Sequence, residues 1–212
     1  MAHVVLILAL IGCAARGEVL DRLAVSVNKQ VITENDILRE LRIEAFLDQK
    51  SPDFSGPEKR KAADRLVDQF LIQQDAASSR TVLVSPEETA KLLENVKSSY
   101  GNDESYRAAL VRSGITEQEL QDHLAAGLRN LRFTENRFRP EVQLSDEELH
   151  EFYETQAAEW RQKNPAKVPS FEESRTQLEE LLTEQRTTQA LDRWLGMART
   201  ENQILYREEV FR

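Results

Sequence analysis

Two histidines (His123 and His150), a single cysteine (Cys13) and several adjacent carboxylate pairs are the side chains of this 212-residue chain whose types could do chemistry. A metal centre needs several convergent donors. His123 and His150 stand alone, with no second His or Cys at ligand spacing, and His3 sits in the leader. Nucleophilic catalysis needs an activated Ser or Cys, yet there is no G-x-S-x-G elbow, no glycine-rich phosphate loop and no Cys beside a base. Glu147-Glu148, Glu172-Glu173 and Glu179-Glu180 fall at helix starts or outward positions, where carboxylates complement the helix dipole or solvate the helix. We expect no catalytic residue, no metal and no cofactor, hence no enzyme.

Arg129, Arg132, Arg137 and Arg139 form a basic cluster interleaved with Phe133 and Phe138. Binding nucleic acid takes a basic face that displaces counterions. The chain carries 28 Lys+Arg against 37 Asp+Glu, a net charge of −9, so no nucleic-acid partner is expected. The default role of the cluster is a solvated helix end, with Arg near the last carbonyls. A grip on acidic or backbone groups of a bound peptide is the weaker alternative.

The elements that must position these residues are mostly helical. Seven Gly and 6 Pro are few for this length, which argues against a turn-rich sandwich. Four S/T-x-x-E capping boxes, Ser85/Glu88, Thr116/Glu119, Ser145/Glu148 and Ser170/Glu173, each lead into an apolar periodic run. Pro86 adds a proline at a first helical position. Thr33 with Asp36 opens a further helix, and Ala62 to Leu71 mark another beyond Pro57. Gly114 before Ile115 reads as a glycine C-cap. Leu120, Leu124, Leu128 and Leu131 form a stripe that ends at Pro140; Leu149, Phe152, Tyr153 and Trp160 form the next. Phe171 to Leu195 trace one face of a helix of about 28 residues, about 40 Å long.

Two stretches read as β. Leu23, Val25 and Val27 alternate, Asn28-Lys29-Gln30 suits a turn, and Val31-Ile32 begins a return strand. A hairpin this short needs a partner. The weakly alternating tail from Gln203 to Phe211 is the candidate, which would bring both ends of the mature chain into one sheet. The expected fold class is therefore mainly α: a multi-helix module with a small sheet from an N-terminal hairpin and a C-terminal strand. Asp48 to Pro57 reads as a loop.

The nine-residue apolar run Val4 to Gly12 is too short to span a bilayer but suits an export signal. Residues 1–17 are read as a signal peptide cut after Gly17, leaving 27 basic against 37 acidic residues. Leu10-Ile11-Gly12-Cys13 also resembles a lipobox, in which case Cys13 would be the acylated first residue of a membrane-anchored lipoprotein. The export reading makes the periplasm the expected location.

Asp21-Arg22-Leu23-Ala24-Val25, Val27-Asn28 and Val31-Ile32-Thr33-Glu34-Asn35-Asp36-Ile37 resemble the opening of the SurA-type periplasmic chaperones. Val84-Ser85-Pro86-Glu87-Glu88, Leu144 to Leu149 with Phe152-Tyr153, and Phe171-Glu172-Glu173 to Trp194-Leu195 are similar to that family's later helix starts. The resemblance implies a SurA-N-like helical domain over 18–160 and a long C-terminal helix and strand over 170–212, packing back on it. Residues 161–169, RQKNPAKVP, form the linker where a parvulin prolyl-isomerase domain sits in typical members. That interval is too short for a folded domain.

The resemblance implies an ATP-independent holdase. It would bind unfolded outer-membrane or exported polypeptides in an apolar cleft between the middle helices and the long C-terminal one. Candidate lining residues are Leu93, Val96, Tyr100, Tyr106, Leu110, Phe133 and Phe138. Each also fits a core position, because apolar residues at helical spacing face neighbouring helices. Two alternatives stand beside it: an envelope scaffold anchored through Cys13 with one fixed partner, and a peptidyl-prolyl isomerase. The second is disfavoured, since the parvulin pocket residues have no counterparts here.

Overall fold

The computed structural model describes residues 21–77, 83–163 and 168–212. The stretch expected as a signal peptide, residues 1–17 with Cys13, and part of the 161–169 interval expected as a linker lie outside the described residues. The elements run β1 (Leu23–Val27), β2 (Gln30–Thr33), α1 (Glu34–Leu47), α2 (Gly56–Ala76), α3 (Pro86–Ser98), α4 (Asp103–Ser113), α5 (Glu117–Phe138), α6 (Asp146–Lys163), α7 (Phe171–Glu201) and β3 (Ile204–Tyr206). Short 3₁₀ turns cover Arg139–Glu141 and Glu208–Phe211. The fold is mainly α with a small antiparallel sheet.

The sheet has the order β2-β1-β3, with Val25 opposite Tyr206 and Val27 opposite Ile204. The chain's two β-patterned stretches do pair. Asn28 holds the turn with φ 54°, a left-handed conformation Asn tolerates. Its amide also ties the hairpin to the other end: Gln203 N–H donates to Asn28 Oδ1 at 2.9 Å, and Asn28 N–H donates to the Gln203 carbonyl at 2.8 Å. A register shift between Leu23 and Val25 buries both Ala24 and Val25. The tail is less β than its alternation suggests. Arg207 N–H makes the last bond back to the sheet, to Ala24 O at 2.8 Å, and the chain then curls into its 3₁₀ turn, burying Val210.

Helix starts lie where the caps place them. Thr33, Ser85, Thr116 and Ser170 each accept from the N3 backbone N–H while the N3 carboxylate accepts from the cap. Ser145 and Glu148 bond in the same reciprocal way. Gly114 ends α4 with φ 63°. α2 begins at Gly56, inside the stretch expected as loop, and α7 extends to 31 residues.

One core packs the inner sheet face (Ala24, Val25, Val27) against α1, α2 and the end of α7. A second packs the far half of α1 (Ile43, Phe46) against Leu93 of α3, Tyr106 and Leu110 of α4, and Leu120 of α5. A third joins Ile72, Phe133 and Phe138 to Trp194, and a fourth joins Leu149 of α6 to Leu178 and Leu182 of α7. Leu131 departs from its stripe: it is 56% exposed while Phe133 is buried. α5 meets α3, α2 and α7 along its length, so its buried direction rotates. Among the described residues no helix is long and apolar enough to cross a membrane.

Candidate functional site

The seven candidate lining residues do not share one cleft. Leu93, Tyr106 and Leu110 are buried in the second core, with Val96 and Tyr100 half-buried against it. Phe133 and Phe138 are buried in the third core, their rings 5.9 Å apart and both packed on Trp194. Tyr100 and Phe138 each line a depression in the surface. Tyr100 stacks on Phe46 at 4.8 Å at the floor of a depression of about 450 Å³ between the ends of α1 and α4. Phe138 lines one of two neighbouring depressions beside α7.

Those two depressions form a groove along α6 and α7. The first, about 280 Å³, is lined by Phe138, Val142, Gln143, Ala190 and Arg193. The second, about 260 Å³, is lined by Phe152, Thr155, Leu182, Gln185 and Gln189. Glu148 and Arg186 line both, and their ion pair at 2.8 Å stands between them. The capping box fixes this divider: Glu148 Oε2 accepts from Ser145 N–H at 3.0 Å while Oε1 accepts from Arg186. The Ser145 backbone bond, its hydroxyl and Arg186 together hold the Glu148 carboxyl below its ordinary value. Gln143 and Gln185 are exposed and line the groove, and their side-chain amides can both donate and accept. Glu141 and Glu151 line it as well, so apolar side chains alternate with amides and with three carboxylates set against the two guanidinium groups of Arg186 and Arg193. Sequence reading missed this divider, because a cap residue and an arginine 38 positions away share no periodic signal.

The arginine cluster serves packing. Arg132 binds Glu88 and the Leu83 carbonyl, Arg137 pairs with Asp75 at 2.7 Å, and Arg139 pairs with Glu180 at 2.7 Å. Arg137 also lies 5.6 Å over the Trp194 ring. These contacts tie α5 to α2, α3 and α7.

Of the histidines, His150 is exposed and stacks on Phe171 with ring centroids 3.8 Å apart. His123 is half-buried against α1, with Nδ1 at 3.1 Å from Oε2 of Glu40, itself only 6% exposed. No group of three or more His, Cys, Asp or Glu side chains converges as metal ligands among the described residues.

A family model described as a SurA-like N-terminal domain matches residues 1–133, a stretch that takes in the hairpin and the helices through most of α5. No curated protein matches the chain.

Proposed function

The chain belongs to the SurA-like N-terminal domain family, and from that premise we propose that it is an ATP-independent periplasmic holdase for unfolded exported polypeptides. The family match is the observation that carries this reading. Only residues 164–170 separate α6 from α7, so no parvulin domain is inserted there, and the reading is of a binding protein rather than an isomerase.

We place the client in the groove beside α7. Its two depressions are centred about four residues apart on that helix, about 6 Å at 1.5 Å per residue. Alternate side chains of an extended strand are about 6.7 Å apart. An extended segment would set side chains i and i+2 on either side of the Glu148–Arg186 pair, with its backbone against Gln143 and Gln185. Apolar side chains supply the affinity and main-chain bonds the tolerance of sequence. Such a shallow seat gives weak, reversible binding, which suits a carrier without a nucleotide cycle.

The test is suppression of aggregation of several unrelated unfolded clients, without ATP, against Gln143→Arg/Gln185→Arg. Both residues are exposed, so the double variant should fold normally. Wild type should suppress aggregation at near-stoichiometric ratios, and the variant should lose most of that effect. No suppression by wild type would remove the reading; equal suppression by the variant would move the site elsewhere.

A further inference from the structure

Glu40 is the one charged residue among the buried side chains of the described structure, and its position is a seam. On α1, Ile37 and Leu41 face the first core while Ile43 and Phe46 face the second. Glu40 lies between them. The partner across the seam is His123 of α5, about one turn after Leu120 and next to Leu124, which pack in the second core with α3 and α4. The contact therefore bridges α1 and the lobe made of α3, α4 and the first half of α5. A second polar tie runs from the Tyr100 hydroxyl to the Phe46 carbonyl, and apolar packing adds to the adhesion.

We propose that the Glu40–His123 contact is a pH-dependent clamp, closed when the imidazole is charged, whose release loosens the α3–α4 lobe from α1 and uncovers the second core. With the ring charged, Nδ1–H donates to a carboxylate it also attracts, and both contributions gain from the burial of Glu40 and the half-burial of the ring. With the ring neutral, the attraction is gone while Glu40 and Glu44, one turn apart on α1, keep their mutual repulsion.

The other groups at the seam are few. From α2, Arg65 pairs with Glu44 and opposes the His123 charge; from α5 itself, Glu119 lies within electrostatic reach of Arg39 and Arg42 of α1. The α3 charges that reach α5 meet it elsewhere, Lys97 at Glu117 and Glu88 at Arg132, and Arg199 of α7 is engaged by Asp64 and Asp68 of α2.

Burial alone would lower the His123 pKa, but the bond to Glu40 and the charges of Glu40 and Glu44 more than offset it, so the folded value lies above the ordinary one. For a group raised in this way, the stabilisation is complete below the ordinary imidazole pKa and is lost as pH rises through the folded value. The clamp is thus shut in mildly acidic solution and weakens toward alkaline pH. The core it uncovers holds Leu93, Tyr106 and Leu110, three of the residues that the family resemblance offered as candidate lining for a polypeptide. The clamp itself does not depend on the holdase reading.

Hydrogen exchange of the full chain between pH 6 and 8, corrected for intrinsic rates, tests it, together with binding of an apolar fluorescent dye. For wild type, protection in segments 34–47 and 103–113 should fall several-fold as pH rises, and dye binding should increase. His123→Gln should be less protected at pH 6 and show no such slope, whereas His150→Gln should keep the wild-type slope. Should His123→Gln fail to fold, Glu40→Gln, which keeps a hydrogen-bonding side chain, should likewise remove the fall in protection. A flat wild-type profile, or an unchanged slope in the folded His123 or Glu40 variant, overturns the clamp.

Discussion

Tyr106 packs its ring between Phe46 and Tyr100, 6.0 Å from each, and is fully buried, yet its hydroxyl finds no hydrogen-bond partner among the described residues. Burial pushes the phenol well above its ordinary pKa, and the nearby Glu117 carboxylate, outside hydrogen-bond geometry, adds to that rise. An unmet buried donor costs about 1–3 kcal/mol. Removing it while keeping the ring should therefore be free. Tyr106→Phe is expected to leave stability unchanged or to raise it by about 1 kcal/mol, while Tyr106→Ala should cost about 3–5 kcal/mol through the cavity it opens. Urea melts of the two variants check this; a large loss in Tyr106→Phe would mean the hydroxyl has a partner after all.

Among the elements, α5 shows how caps and packing divide the work. Thr116 and Glu119 satisfy each other's backbone donors at its start. Thr116→Ala should cost about 1 kcal/mol in denaturant unfolding, and Thr116→Asn, an equally good cap, only a few tenths. Farther along, the helix meets first α3 and α4, then α2, then α7. A single apolar stripe marks one side of a helix, but this one is covered from different sides in turn. Hence Leu131 faces outward while Phe133 and Phe138 turn in, and Phe138 also reaches the groove.

The whole molecule is closed by its ends. Arg60 of α2 lies 3.7 Å over the Tyr206 ring, and Tyr206 donates to Asp64 at 2.5 Å, so β3 is held by α2 as well as by β1. The final 3₁₀ turn docks on the start of α2, where a Cβ on Gly56 would stand 2.1 Å from the Phe211 carbonyl oxygen. Backbone of this kind gives way only by shifting the turn. Gly56→Ala should therefore cost about 1–3 kcal/mol, measured by urea or thermal unfolding. In a chain ending at Arg207 the same substitution should cost less than about 0.5 kcal/mol. Equal losses in both backgrounds would show that the close approach is not what Gly56 serves.

Local signals determined much of this protein. The reciprocal Ser/Thr–carboxylate caps, Gly114, the Asn28 turn and the period of the apolar residues specify where elements begin and end, because each acts over about four residues of chain. The pairing of the hairpin with the tail was legible too, since a lone hairpin cannot stand and the tail offered the other β pattern. The site was not. Whether Leu93 or Phe138 is covered, which carboxylate meets Arg186, and what lies against His123 are settled by helices far apart in sequence. Periodicity says which side of a helix is apolar; only tertiary packing decides which neighbour covers it and where a groove is left.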